Sequence, residues 1–166
     1  MPSLKRLSLA LLLSALAPAQ AAAECTLAGV LPPHRKAGVA EVRVTGSRTA
    51  QGRFPAICGA YFVLDAGAMG KAGDGMVFET CLPGIGKLQV SGGAGKRKAG
   101  PVADFGLVVN TDSSSLMGSA GGANKVVLGA DLFSATVKAK VSTFGRARPG
   151  HPSEELVLDV KFDCSK

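Results

Sequence analysis

Apolar and polar residues alternate along much of this chain. That is the period of two required of a strand with one buried and one wet face. The clearest stretch is Ser134 to Thr143, where Ala135, Val137, Ala139 and Val141 fall on one side. Ser134, Thr136, Lys138, Lys140 and Ser142 fall on the other. From Glu155 to Cys164 the pattern repeats: Leu156, Leu158, Val160, Phe162 and Cys164 share a face, and Val157 is the one apolar residue on the wet side. Helical spacing would scatter these apolar residues around an axis. The intervening Gly145 to Pro152 is polar and holds glycine and proline, so the two strands are predicted to form an antiparallel hairpin. Cys164 shares the apolar face, so the last strand is predicted to end on a core-facing cysteine.

Further strands are predicted over 26–30, 38–46, 54–65, 76–82, 86–92, 102–110 and 125–133, separated by glycine- and proline-rich connections. The stretch from Phe54 to Asp65 differs from the rest. Phe54, Ala56, Cys58, Ala60, Phe62 and Leu64 line one face, yet Ile57, Tyr61 and Val63 make the other apolar too. It reads as a central strand covered on both sides, or as an edge hidden by a loop. About eight to ten short strands with regular turn signals predict a single all-β domain, an antiparallel β-sandwich (Ig-like or barrel-like) stapled by two disulfides. A terminal alternating strand closing on Cys164, together with Cys58 in a mid-chain strand, resembles small exported β-sandwich antigens of the mycobacterial lipoprotein type. The resemblance implies the sandwich architecture and carries no functional motif.

The first residues read as a targeting segment. Lys5 and Arg6 precede the apolar run Leu7 to Ala17, and Ala21-Ala22-Ala23 offers a cleavage site before Glu24. This makes 1–23 a secretory signal and 24–166 the domain, secreted or periplasmic, with no predicted transmembrane span. Cys25 invites lipidation, but Glu24 stands where a lipoprotein signal carries a small residue. The four cysteines, Cys25, Cys58, Cys81 and Cys164, imply two bridges in an exported chain. The favoured pairing is Cys25–Cys164 with Cys58–Cys81. The shared core-facing position of Cys58 and Cys164 supports the rival pairing of those two.

The whole chain has 19 basic and 12 acidic residues. Removing Lys5 and Arg6 leaves 17 against 12, a net charge of +5. Such a protein favours anionic partners: anionic lipid, lipopolysaccharide or acidic polysaccharide. The sharpest local feature is Lys96-Arg97-Lys98 on a glycine-flanked loop. His34, Arg35, Lys36, Arg146 and Arg148 would extend a basic patch if the fold gathered them. No tryptophan and one tyrosine, Tyr61, argue against stacked nucleic-acid bases.

Chemistry finds little footing. The Gly-Lys pairs at 70–71, 86–87 and 95–96 lack the phosphate-loop spacing. Two histidines, His34 and His151, sit in proline-flanked loops, and no nucleophile elbow surrounds Ser153. A hydrolase using His151 with Glu154 or Glu155 is the weakest of three functional readings. Asp65, Asp74, Asn110 and Asp112 lack the spacing of a calcium loop and read as turn formers. No cofactor or metal is expected. A lysozyme inhibitor would present acidic surface to its basic target, and a pilus subunit would leave a groove for a donor strand. Neither fits. The reading is an exported, non-enzymatic binding or envelope-associated protein acting through basic loops, or else a structural surface protein. Its partner is an anionic glycan or lipid, or an envelope protein.

Overall fold

The computed structural model describes residues 25–27, 35–63, 74–92, 99–145, 150 and 152–166. They form ten strands: β1 (Lys36–Gly46), β2 (Ala50–Val63), β3 (Asp74–Leu82), β4 (Gly86–Gly92), β5 (Gly100–Pro101), β6 (Phe105–Thr111), β7 (Ser115–Ser119), β8 (Lys125–Leu128), β9 (Ser134–Thr143) and β10 (Glu155–Asp163). The alternation in the sequence maps directly onto them. In β10 the burial strictly alternates, and Val157 is 48% exposed on the wet face. The predicted hairpin of β9 and β10 forms with Ser134 opposite Asp163 and Ser142 opposite Glu155. The short polar strand β7 is an addition that alternation had not marked.

Every pairing is antiparallel, and strands β1, β2, β3, β4, β6, β7, β9 and β10 each pair with the next. Because β10 pairs with β1 as well as β9, the sheet closes into an eight-stranded up-and-down barrel. The expected sandwich is therefore corrected to a barrel. Alternation fixes which face of a strand is buried, and both architectures need the same alternation. What distinguishes them is the long-range pairing of the first strand with the last. The two short strands are extensions of the wall. β8 follows β7 along the same edge of β9, and β5 pairs with β8. From Met117 to Lys125 the chain advances eight residues, while their partners Ser142 and Lys138 are only four apart, so a loop bulges out between β7 and β8.

Eight strands enclose a space just wide enough to be filled by side chains. Here Val42, Phe78, Leu88, Leu107, Val137, Leu158 and Phe162 are among those that fill it, and the rings of Phe78 and Phe162 lie 5.4 Å apart. Thr80 is the inward polar residue, and its hydroxyl donates to the Pro55 carbonyl at 2.9 Å. We call the end where β1 begins the upper end and the end where β1 finishes the lower one. At the lower end Ile85, in the β3–β4 turn, is buried as a plug. Arg48 ties the four lower connections together. It donates to Glu154 at 2.7 Å, to Asp112 at 3.0 Å, to the Gly84 carbonyl at 3.4 Å and to the Ser113 hydroxyl at 3.4 Å.

The disulfides are Cys25–Cys81 and Cys58–Cys164, so the favoured pairing is overturned and the one suggested by shared core-facing positions holds for Cys58 and Cys164. Cys58 and Cys81 do lie on neighbouring strands. Cys58 points inward, whereas Cys81, between inward Thr80 and Leu82, points outward, and a bridge cannot pass through the wall. Cys81 instead holds the segment around Cys25 against the outer face of β3. Cys58 and Cys164 flank β1 on either side and meet across its inner face at Gly38, where any Cβ would run into the Asp163 carbonyl and the Cys164 sulfur. On β2, Ile57 is only 3% exposed although it faces outward, so the outer face is covered there, while the side chains of Tyr61 and Val63 lie outside the described residues.

Candidate functional site

Closing the sheet sorts the charges. Strands β1, β2, β8, β9 and β10 carry Lys36, Arg43, Arg53, Lys125, Lys138, Lys140 and Lys161, with Glu41, Glu155, Asp159 and Asp163. Strands β3, β4, β6 and β7 carry only Asp74, Glu79 and Lys87. Among the described strand residues, one side of the barrel wall is thus densely charged and net basic, and the other is nearly uncharged.

On the charged side the signs interleave. Around one row of the wall run Gln51, Arg43, Asp159, Lys138 and Lys125; the adjacent row runs Arg53, Glu41, Lys161 and Thr136. Arg53 meets Glu41 at 3.7 Å, Lys138 meets Asp159 at 3.5 Å and Lys140 meets Glu155 at 2.8 Å. All six side chains are more than half exposed, so each pair contributes little. Two shallow grooves run along this wall and share Glu41, Arg53 and Lys161. One, of about 400 Å³, adds Arg43, Gln51 and Asp159. The other, of about 230 Å³, adds Asp163, Lys166 and the backbone around Gly38. Their mixed charges can hold anions by the cations and hydroxyl or amine donors by the carboxylates.

The residues singled out from sequence are distributed as follows. Lys36 lies at the upper end with its ammonium 4.3 Å from the centre of the Phe133 ring, a cation–π contact. Arg35, just before it, is half-buried. Lys96, Arg97, Lys98, Arg146, Arg148, His34 and His151 lie outside the described residues. The strand ends flanking 93–98, Gly92 and Gly100, are at the upper end with Lys36, while Gly145, which precedes Arg146, follows β9 at the lower end. The ends of an 11-residue strand such as β1 stand roughly 33 Å apart. Arg35 and Lys36 therefore share an end with the roots of the 93–98 loop, and Gly145 belongs to the opposite one.

Other candidates have structural partners. Glu154 is engaged by Arg48 and by the Ser114 hydroxyl at 3.2 Å. Asp112 is Arg48's second acid, and that guanidinium, chiefly through its hydrogen bond, holds the Asp112 carboxyl below its ordinary range. Asn110 accepts from the Ser115 hydroxyl at 2.8 Å. Among the described residues no three His, Cys, Asp or Glu side chains gather as a metal site, and no helix is long and apolar enough to cross a membrane. Alternation had already marked Lys138 and Lys140 as wet-face residues of β9. Their neighbours Lys125, Lys161 and Arg53 come from distant segments, and only the strand register assembles them. No protein-family model, curated protein or solved structure matches the chain.

Proposed function

We propose that this is an exported, non-enzymatic binding protein that engages an anionic glycan or lipid of the cell envelope through the basic side of its barrel. The observation that carries the reading is the segregation of charge onto β1, β2, β8, β9 and β10. Scattered solvating charge would be shared by both sides. Two disulfides favour an oxidising compartment, and the amino-terminal targeting pattern favours export. The strand ends that flank 93–98, Gly92 and Gly100, stand at the same end as Lys36, which favours adding Lys96, Arg97 and Lys98 to the surface.

The test is retention of the purified protein on immobilised lipopolysaccharide and on alginate, eluted with stepped salt. Elution at moderate salt is expected. Replacing Lys138, Lys140 and Lys161 with glutamine is expected to advance elution; replacing Lys87, on the other side, is not. Equal effects from both sides would sink the reading. A structural surface protein is the second reading, favoured by the alternation of sign across β10, β1 and β2, which neutralises much of the wall internally. That reading expects no retention at all.

A further inference from the structure

Five cross-strand pairs in the barrel set one charged residue directly opposite another. Four are of opposite sign: Glu41 with Arg53, Glu41 with Lys161, Arg43 with Asp159, and Lys138 with Asp159. The fifth sets Lys125 of β8 directly opposite Lys138 of β9. Like charges in that relation, with Cβ atoms about 5 Å apart, destabilise a sheet. The register that imposes this is actively held. The Asn124 amide stands in for a strand backbone: its oxygen accepts from the Lys140 N–H at 2.8 Å, and its nitrogen donates to the Lys140 carbonyl at 3.3 Å and the Ser119 carbonyl at 3.0 Å. This pins the start of β8 at the point where β7 leaves β9, and so fixes Lys125 against Lys138.

We propose that Lys125 and Lys138 form a binding site for a phosphate group, a phosphomonoester borne by the envelope partner; this rests on the function proposed above. Two lysines rooted directly opposite each other can bring two ammonium charges to one group, which favours a dianion over a carboxylate, and a phosphomonoester carries about −1.5 to −2 charges at pH 7. Lys138's pair with Asp159 is 3.5 Å long and exposed on both sides, too weak to compete with such a group. Among the described residues, the one charged residue paired across the strands from Lys125 is Lys138. Thr136, on the same outer face two residues before Lys138, adds a hydroxyl within the same patch, and Lys140 adds a third cation two residues after it.

The test measures thermal unfolding in low-salt buffer with and without inorganic phosphate, then with glucose 6-phosphate against glucose. Without anion, Lys125→Gln is expected to melt about 2 °C above wild type, because the repulsion is gone. Phosphate and glucose 6-phosphate should raise the wild-type midpoint and that of Lys125→Arg, with little effect on Lys125→Gln or Lys138→Gln, whose affinity should fall about tenfold. An equal rise in wild type and both glutamine variants, or no rise in wild type, overturns the site. The lipopolysaccharide column separates this from the broader reading. Equal retention of wild type and Lys125→Gln with no phosphate response leaves the broader reading and removes the site. A phosphate response without retention does the reverse.

Discussion

The two sides of the barrel use ionic residues in opposite ways. On β1, β2, β9 and β10, three ion pairs stand in the open, with every partner more than half exposed. On β3 and β4 there is one pair, Glu79 with Lys87 at 3.2 Å, and the glutamate side chain is only 8% exposed. Glu79 lies beside outward-facing Val77 and Ile57, both buried, where the Cys25–Cys81 bridge holds the amino-terminal segment against the wall. The lesson is that the number of ion pairs and their importance to folding run in opposite directions. Exposed pairs are screened and exchangeable, which suits a surface that trades internal partners for external ones. A buried carboxylate with one cation is committed to it.

The sharpest way to break this comparison is to neutralise one member of an ion pair on each side. Lys87→Ala leaves Glu79 buried and uncompensated, and should cost about 3 kcal/mol in urea unfolding. Arg48 belongs to neither side but joins the lower connections of both, with Glu154 largely buried against it. Arg48→Ala should cost about 2 kcal/mol, and hydrogen exchange should quicken first around residues 112–114. Glu41→Gln on the charged side should change stability by no more than about 0.5 kcal/mol, and that change should vanish in high salt. A cost for Glu41→Gln comparable to that of Lys87→Ala would show that the two sides do not differ in the way described.

The smallest effect concerns pH. The Asp112 carboxyl is held below its ordinary value of 3.8, first by its hydrogen bond from Arg48. Its contribution is therefore complete above that value and is lost as the pH falls through the lower folded-state value. Asp112→Asn should flatten the acid limb of the stability profile below about pH 4, by lowering the neutral plateau slightly while leaving the acid end unchanged. The Asp163 carboxyl, held down by the Ser165 hydroxyl, follows the same sign.

Strand positions were legible in the sequence wherever one face is buried. The prediction of 134–143 coincides with β9, and 86–92 with β4. β2 begins at Ala50, four residues before the predicted start, because Gln51 and Gly52 join the ladder with β1; β6 begins at Phe105, three residues after its predicted start, and the predicted end of β2 at 64–65 lies outside the described residues. β7 was missed because Ser115, Gly118 and Ser119 look like a turn, while Leu116 alone supplies its inward face. Closure was not legible, since it depends on residues 39–46 finding 156–163. The candidate site suffered in the same way. A run such as Lys96-Arg97-Lys98 is conspicuous in one dimension, whereas Lys125 and Lys138 become neighbours only once register is set. The cysteine pairing was partly legible, because which way a cysteine faces is local information and which strand it reaches is not.

The bridge between Cys58 and Cys164 has a mechanical consequence. In a barrel closed by its first and last strands, the joint between them is where the wall would be unzipped by pulling on the carboxyl end. Here the end of β10 is bonded past β1 to β2, with the two Cα atoms 5.9 Å apart. Tension applied at Lys166 is therefore carried by a covalent link into the second strand before it can load the hydrogen bonds of the joint. With the bridge formed, the end of β10 is anchored against peeling. Reduction would leave the backbone pairing of β10 with β1 to carry that load alone.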